Sequence, residues 1–416
     1  MLSSSKLAIY LTAFYLVVAI IPGLTAEFET VPPNVVHSAV ASCTLFLMGF
    51  LITSAIVPIR QIFSSIPKRA SMSKGLKILI ALLFISTVYI FLAGPIPPIL
   101  GVATSDDPMI ALQLREDFLK LNEDQVFVRI YCDARDVLAP IVFIMALGLW
   151  RAQKVLIGRK WILTGLALSL SMALWSSQKA TLINYLIAAL IILPSGGRHL
   201  LKYAVRALPF VLGLILVIFA VTSAKLAALG ISQVFSIFEL IWEGVVYRLF
   251  VGPMEVAAAY IDAVDNLRLI GPFTVIRPLL GPLFPSMPSV ESLIAGEYFY
   301  REGLESGSAN ALAFAYAYVI GGYLASFLGG VVVAACLKIA VRIVRTCHSA
   351  LAVIAFEAYL AYTMTDLING NFILYLSKMF TATLVAWTIG EMLRASWRFG
   401  LTRTKPYLLP IPRQSA

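Results

Sequence analysis

Apolar residues in this chain run in long, nearly unbroken stretches separated by short charged segments. They do not alternate with polar residues at the period of a strand or of a surface helix. An α-helix needs roughly 18 to 25 such residues to cross a bilayer core. Runs approaching or reaching that length lie at about 7–24, 35–58, 78–99, 137–150, 161–177, 180–194, 207–229, 317–338, 349–366 and 371–393. The fourth, fifth and sixth are short. The pattern predicts an all-α polytopic membrane protein of about ten transmembrane helices (roughly 9–12) with one large outer helical loop. The first run follows Lys6 in the manner of a signal peptide. Leu24-Thr25-Ala26 makes a poor cleavage site, because the −3 position favours a small residue, so this run is expected to remain as a span.

Composition agrees with that pattern. Of 416 residues, 60% are hydrophobic and 13% charged, against roughly 25% charged in soluble domains. The net charge of +10 would suit a nucleic-acid partner if it gathered on one surface. It is instead divided between two faces. With the N-terminus inside, the inner segments are 1–6, 59–77, 151–160, 195–206, 338–348 and 391–416. They hold 21 of the 32 Lys and Arg residues and a single acid, Glu391. An excess of Lys and Arg in short loops marks the cytoplasmic side, so both termini are expected there. Cys43, Cys132, Cys336 and Cys347 lie in different segments and form no CxxC motif or disulfide framework.

Three regions follow: transmembrane helices at 1–229, a large outer loop at 230–316, and further spans with a basic tail at 317–416. Within the first region, an outer segment at 100–136 carries Asp106, Asp107, Glu116, Asp117, Glu123, Asp124, Asp133 and Asp136, with a helix expected over 111–130. These acids suit a solvated face better than a calcium site, since no DxDxDG loop is present. The large loop opens with Ser236, Glu239, Glu243 and Tyr247 at helical spacing among apolar residues, a stripe that fits a helix at the membrane surface. Pro253, Pro272, Pro278, Pro282, Pro285 and Pro288 then exclude one continuous helix. The stretch 286–308 mixes Glu291, Glu297, Arg301, Glu302 and Glu305 with Tyr298, Phe299 and Tyr300. Aromatic rings stack on sugar faces, carboxylates accept from hydroxyls, and arginines hold phosphate oxygens.

Ionisable residues at membrane depth are costly and mark sites. Lys179 lies at the outer turn between the fifth and sixth spans, while Lys225 is placed to snorkel. Glu357 and Lys378 are equidistant from a turn near residue 368, which predicts a buried ion pair between them. Asp366, at the outer mouth of that hairpin, is placed to meet a substrate. His37, His199 and His348 all lie away from the two large outer segments, so a zinc site or a Ser-His-Asp triad is not expected there. The sequence has no P-loop, no GxGxxG opening a soluble βαβ unit and no HExxH.

The layout resembles the bacterial O-antigen polymerases of the Wzy type and the related O-antigen ligases. Three stretches carry the likeness. SSQKATLINYLIAALIILP at 176–194 is similar to the family's basic-residue, helix-start motif. YRLFVGPMEVAAAYIDAVDNLRLIGP at 247–272 is similar to an outer-loop motif in which an arginine leads a helix ending in a glycine turn. SGSANALAFAYAYVIGGYLASFLGG at 306–330 resembles the segment where the outer loop re-enters the membrane. The ligases place a histidine near this last segment, whereas this chain reads Gly307-Ser308-Ala309-Asn310.

The resemblance implies a glycosyltransferase of the GT-C type in the bacterial inner membrane. It would polymerise undecaprenyl-diphosphate-linked oligosaccharides beside a chain-length regulator, without metal or nucleotide cofactor. The leaving lipid diphosphate would be stabilised by Lys179, Arg248, Arg277 and Arg301. Glu302, Glu297 and Glu243 are the candidate catalytic carboxylates, and Tyr298, Tyr300 and Asp366 candidate glycan contacts. An O-antigen ligase and a flippase or transporter for the same lipid-linked glycan are the alternatives. Against transport, the 230–316 loop has no second copy in the chain.

Overall fold

The computed structural model describes residues 4–26, 28, 30–56, 74–94, 125–152, 159–175, 185, 251–280, 290–299, 311–346, 350–363, 370 and 372–401. Among them there is no strand. The helices are α1 (Ser4–Thr25), α2 (Pro33–Ile56), α3 (Lys74–Ala93), α4 (Gln125–Asp133), α5 (Ala139–Ala152) and α6 (Arg159–Trp175), followed by α7 (Gly252–Asp265), α8 (Pro272–Leu280), α9 (Val290–Tyr298), α10 (Ala313–Arg345), α11 (Ala350–Tyr362) and α12 (Phe372–Leu401). A π-helical turn at Ala134–Leu138 joins α4 to α5. Apart from Tyr185, the expected spans at 180–194 and 207–229, the stripe at 231–250 and the acids at 106–124 lie outside the described residues.

Helices this apolar are dictated by their solvent. Among the described residues three stretches are long and apolar enough to cross a membrane: Pro33–Ile56, Leu76–Ala93 and Ala313–Arg345. Their outward faces are apolar too. On α1 the exposed residues Tyr10, Phe14, Val17, Ile21 and Leu24 recur at three- and four-residue spacing, and on α10 Leu324, Leu328 and Val332 do the same. A helix that is apolar on both its buried and its outer face suits lipid. The second and third expected spans fall on α2 and α3, and α1 lies where the first is expected, with a shorter apolar stretch. The eighth, expected at 317–338, falls in the longer α10, and helix α12 covers the stretch 372–393 of the expected tenth.

Register fixes the relative directions of the helices. Cys43 Sγ donates to the Leu16 carbonyl at 3.8 Å and Gly23 meets Val40, so α1 and α2 are antiparallel. Along α3 and α6, Lys77 lies over Trp161, Ile80 meets Gly165 and Phe91 packs edge-on to Trp175, so these two are parallel. The helix between them, α5, runs the other way, with Trp150 beside Arg159 and Val142 beside Gly165.

The central seam joins α2 and α10, again in parallel. The Ser42 and Ser326 hydroxyls hydrogen-bond at 2.6 Å. A Cβ on Gly330 would collide with the Phe46 carbonyl, and one on Gly49 would collide with the Phe327 carbonyl. Lys338 Nζ donates to the Thr53 carbonyl at 3.2 Å and also to the Ser54 carbonyl, capping α2. Small residues facing each other let two backbones touch, which is how helices associate where water gives no drive.

Helix α10 is broken. Gly321 (φ −172°, ψ 37°) and Gly322 (φ 65°, ψ −149°) leave helical geometry, and the conformation of Gly322 is one that only glycine adopts readily. Ser326 Oγ donates to the Phe314 carbonyl at 3.4 Å, and Gly329 sits against Ala317. Residues twelve apart would be about 18 Å apart along a straight helix. The segment 313–320 therefore folds back on the long segment 323–345, and residues 311–319 are all buried.

One expected contact is corrected. Glu357 does not pair with Lys378. It accepts from Arg345 of α10, with Nη2 at 2.5 Å and Nε at 3.1 Å, while Lys378 reaches Asp136 at 2.6 Å. Tyr359, two residues beyond Glu357, donates to the Asp136 carbonyl at 3.0 Å. The two charges therefore have separate partners.

Candidate functional site

The prolines of the large loop open helices as well as ending them. Pro253 occupies the first turn of α7 and Pro272 begins α8, where a missing N–H costs nothing. Although it belongs to the segment expected as an outer loop, α7 is buried from Pro253 to Ala263, with only Val256 half-buried, and packs against α1, α2 and α10. Its run of alanines permits that closeness. In its first turn Glu255, itself buried, accepts a hydrogen bond from Thr30 Oγ1 at 2.7 Å, and a carboxylate there also complements the helix dipole.

At the other end of α7 the dipole is opposed. Asp262 and Asp265 stand in the last turn, with no basic residue there to balance them. Neighbouring hydroxyls and amides hold them instead. Asp262 accepts from Tyr298 at 2.6 Å and from Asn266 Nδ2 at 2.5 Å. Asp265 accepts from Tyr318 at 2.8 Å. Nearby, Tyr260 donates to Tyr316 at 3.2 Å, and Tyr316 donates to Glu291 of α9 at 2.9 Å. Burial, then the hydrogen bond to Asp262 and its charge, push the Tyr298 phenol well above its ordinary range, so it stays a donor at any physiological pH.

Three elements thus converge: the end of α7, the helix α9 and the folded-back segment of α10. The Gly321–Gly322 break is what brings Tyr316 and Tyr318 to this point. Tyr318 is 7% exposed and packs edge-on against Tyr323, which is 43% exposed, with ring centroids 5.2 Å apart. Asp265 and Asn266 are exposed beside them. The rim therefore offers an aromatic face and a carboxylate side by side. Just beyond, Arg268 has φ 52°, and the Leu269 amide donates to the Ala263 carbonyl at 2.8 Å. That pattern is a helix end normally closed by glycine.

Of the residues expected to form the site, Tyr298 belongs to this cluster. Glu297 is exposed one position before it, and α8 carries Arg277. Glu302, Glu243, Lys179, Arg248, Arg301, Tyr300 and Asp366 lie outside the described residues. The sequence reading missed Asp262, Asp265, Tyr316 and Tyr318. Their signals were two acids ahead of Asn266 at the end of a helix, and tyrosines alternating with alanine before a glycine pair. Among the described residues no three His, Cys, Asp or Glu side chains gather as metal ligands.

Among the described residues, fold and site define an all-helical arrangement with helices fit to cross a membrane and a tyrosine–carboxylate cluster built around a broken helix. Comparison of the chain with protein-family models, curated proteins and solved structures returns no match.

Proposed function

We propose that this chain is a membrane glycosyltransferase that polymerises lipid-linked oligosaccharide repeat units into a surface polysaccharide, an O-antigen or exopolysaccharide, on the periplasmic face of a bacterial inner membrane. The observation that carries the reading is the convergence of Asp262, Asp265 and Glu291 with Tyr298, Tyr316, Tyr318 and the exposed Tyr323 ring. A glycan presents hydroxyls that such carboxylates accept and apolar ring faces that a tyrosine covers. The antiparallel and parallel directions of α1, α2, α3, α5, α6 and α10 support a chain that crosses repeatedly with its basic segments inside.

The carrier, undecaprenyl diphosphate, comes from the family resemblance. In the proposed step an acceptor sugar hydroxyl attacks the anomeric carbon of the donor in line. The bond from that carbon to the diphosphate oxygen breaks, its electron pair leaves with the lipid diphosphate, and the hydroxyl proton passes to a carboxylate. Lys179, Arg248, Arg277 and Arg301 stabilise the leaving charge, and Glu302, Glu297 or Glu243 takes the proton. Positioning and electrostatics suffice, with no cofactor. A chain-length regulator in the same membrane is the proposed partner.

The test is the surface-glycan banding pattern of a deletion strain. Loss of a polymerase leaves single repeat units on the lipid core, loss of a ligase leaves the core bare, and a flippase moves substrate across vesicles without lengthening it. Complementation with Arg248→Ala or Lys179→Ala at normal expression is expected to restore little long-chain product. A full ladder from both variants refutes the diphosphate clamp.

A further inference from the structure

A second buried polar cluster lies apart from the tyrosine–carboxylate residues. Where α4 passes into α5, the π-helical turn sets Arg135 and Asp136 side by side inside the bundle. Such turns widen a helix by one residue and recur at functional positions. Arg135 is 8% exposed. Its Nε and Nη2 donate to the two oxygens of Asp136 at 2.5 and 2.9 Å, and the guanidinium stands 5.1 Å from the centre of the Tyr131 ring. Lys378 of α12 donates to the same carboxylate at 2.6 Å. Arg135 Nη1 is buried and meets no hydrogen-bond partner among the described residues.

An ion pair kept only for stability needs one cation for its carboxylate, with each donor satisfied. Here a guanidinium and an ammonium share Asp136, and the guanidinium retains an unused N–H edge. A planar donor edge beside a point cation is the arrangement that receives a tetrahedral oxyanion. We propose that Arg135 and Lys378 form a binding site for a phosphate-type oxyanion, with Asp136 holding the two cations in place when the site is empty. This inference stands independently of the polymerase reading. The phosphate is either that of a membrane lipid or a soluble one.

The experiment uses the full chain in phosphatidylcholine nanodiscs and follows its thermal unfolding midpoint. One arm adds inorganic pyrophosphate against sodium chloride of equal ionic strength. The other compares phosphatidylcholine discs with discs containing phosphatidic acid. The midpoint is expected to rise by several degrees in at least one arm, and the responding arm names the source. Arg135→Gln leaves Asp136 paired with Lys378, and Lys378→Gln leaves it paired with Arg135, so each variant retains a balanced pair and its fold. Each is expected to lower the apparent affinity about tenfold or more. A wild-type protein unmoved in both arms, or a wild-type response from both variants, overturns the proposal.

Discussion

Arg268 holds a left-handed backbone at a helix end that calls for glycine. A side chain there costs about 1–2 kcal/mol, so Arg268→Gly is expected to stabilise the protein by about 1 kcal/mol, read as a higher denaturation midpoint in detergent. Arg268 stands beside the exposed Asp265 and Asn266 of the rim. The charges deeper in the bundle call for a different comparison. Glu357→Ala removes the carboxylate that accepts from Arg345 Nη2 and Nε and is expected to cost about 3 kcal/mol. Replacing both residues by methionine should recover most of that loss. Exchanging the charges of Glu357 and Lys378 is not expected to rescue anything. A lysine at 357 faces Arg345, and a glutamate at 378 faces Asp136. Yield of folded protein across these variants checks the assignment.

At the scale of elements, the α2–α10 seam depends on absent side chains more than on its hydrogen bond. Gly330→Leu drives a side chain into the Phe46 backbone and is expected to cost about 3 kcal/mol or more. Ser42→Ala, which removes the bond to Ser326, is expected to cost about 0.6 kcal/mol. Thermal denaturation of the two variants separates these contributions. This contrast also explains what the sequence made legible. Helices α2, α3 and α10 followed from the length of apolar runs, whereas counting residues to a turn did not find the partners of Glu357 and Lys378. Which face each charge occupies depends on how a helix is rotated against its neighbours, and no local pattern encodes that rotation. Asp136 was grouped with outer-loop acids because its partners, Lys378 and Tyr359, are more than 200 positions away. Tyr298 stood out for its aromatic and charged neighbours. Asp262 and Tyr318 did not, because their pairings depend on the reversal at Gly321–Gly322, which reads locally as an ordinary glycine pair.

For the whole molecule, the proposed orientation makes a direct prediction. With Cys43, Cys132, Cys336 and Cys347 replaced, a single cysteine at Asn266 is expected to react in intact cells with a maleimide that cannot cross the inner membrane. One at Thr346 should react only after permeabilisation. Both positions are exposed, so the pattern of labelling reports sidedness rather than burial. Reversed labelling would invert the orientation and place the tyrosine–carboxylate rim in the cytoplasm.

The seam between α2 and α10 has a further consequence for synthesis. Ser42 and Ser326 are separated by 284 positions, so α2 enters the membrane long before its partner has been translated. Its glycine groove must wait among lipids or provisional neighbours until the last quarter of the chain arrives. Because Tyr316 and Tyr318 arrive with that same partner, a chain interrupted before residue 313 inserts its early helices yet brings neither tyrosine to the rim. Assembly of the cluster therefore waits for α10, whose tyrosines bond Glu291 and Asp265.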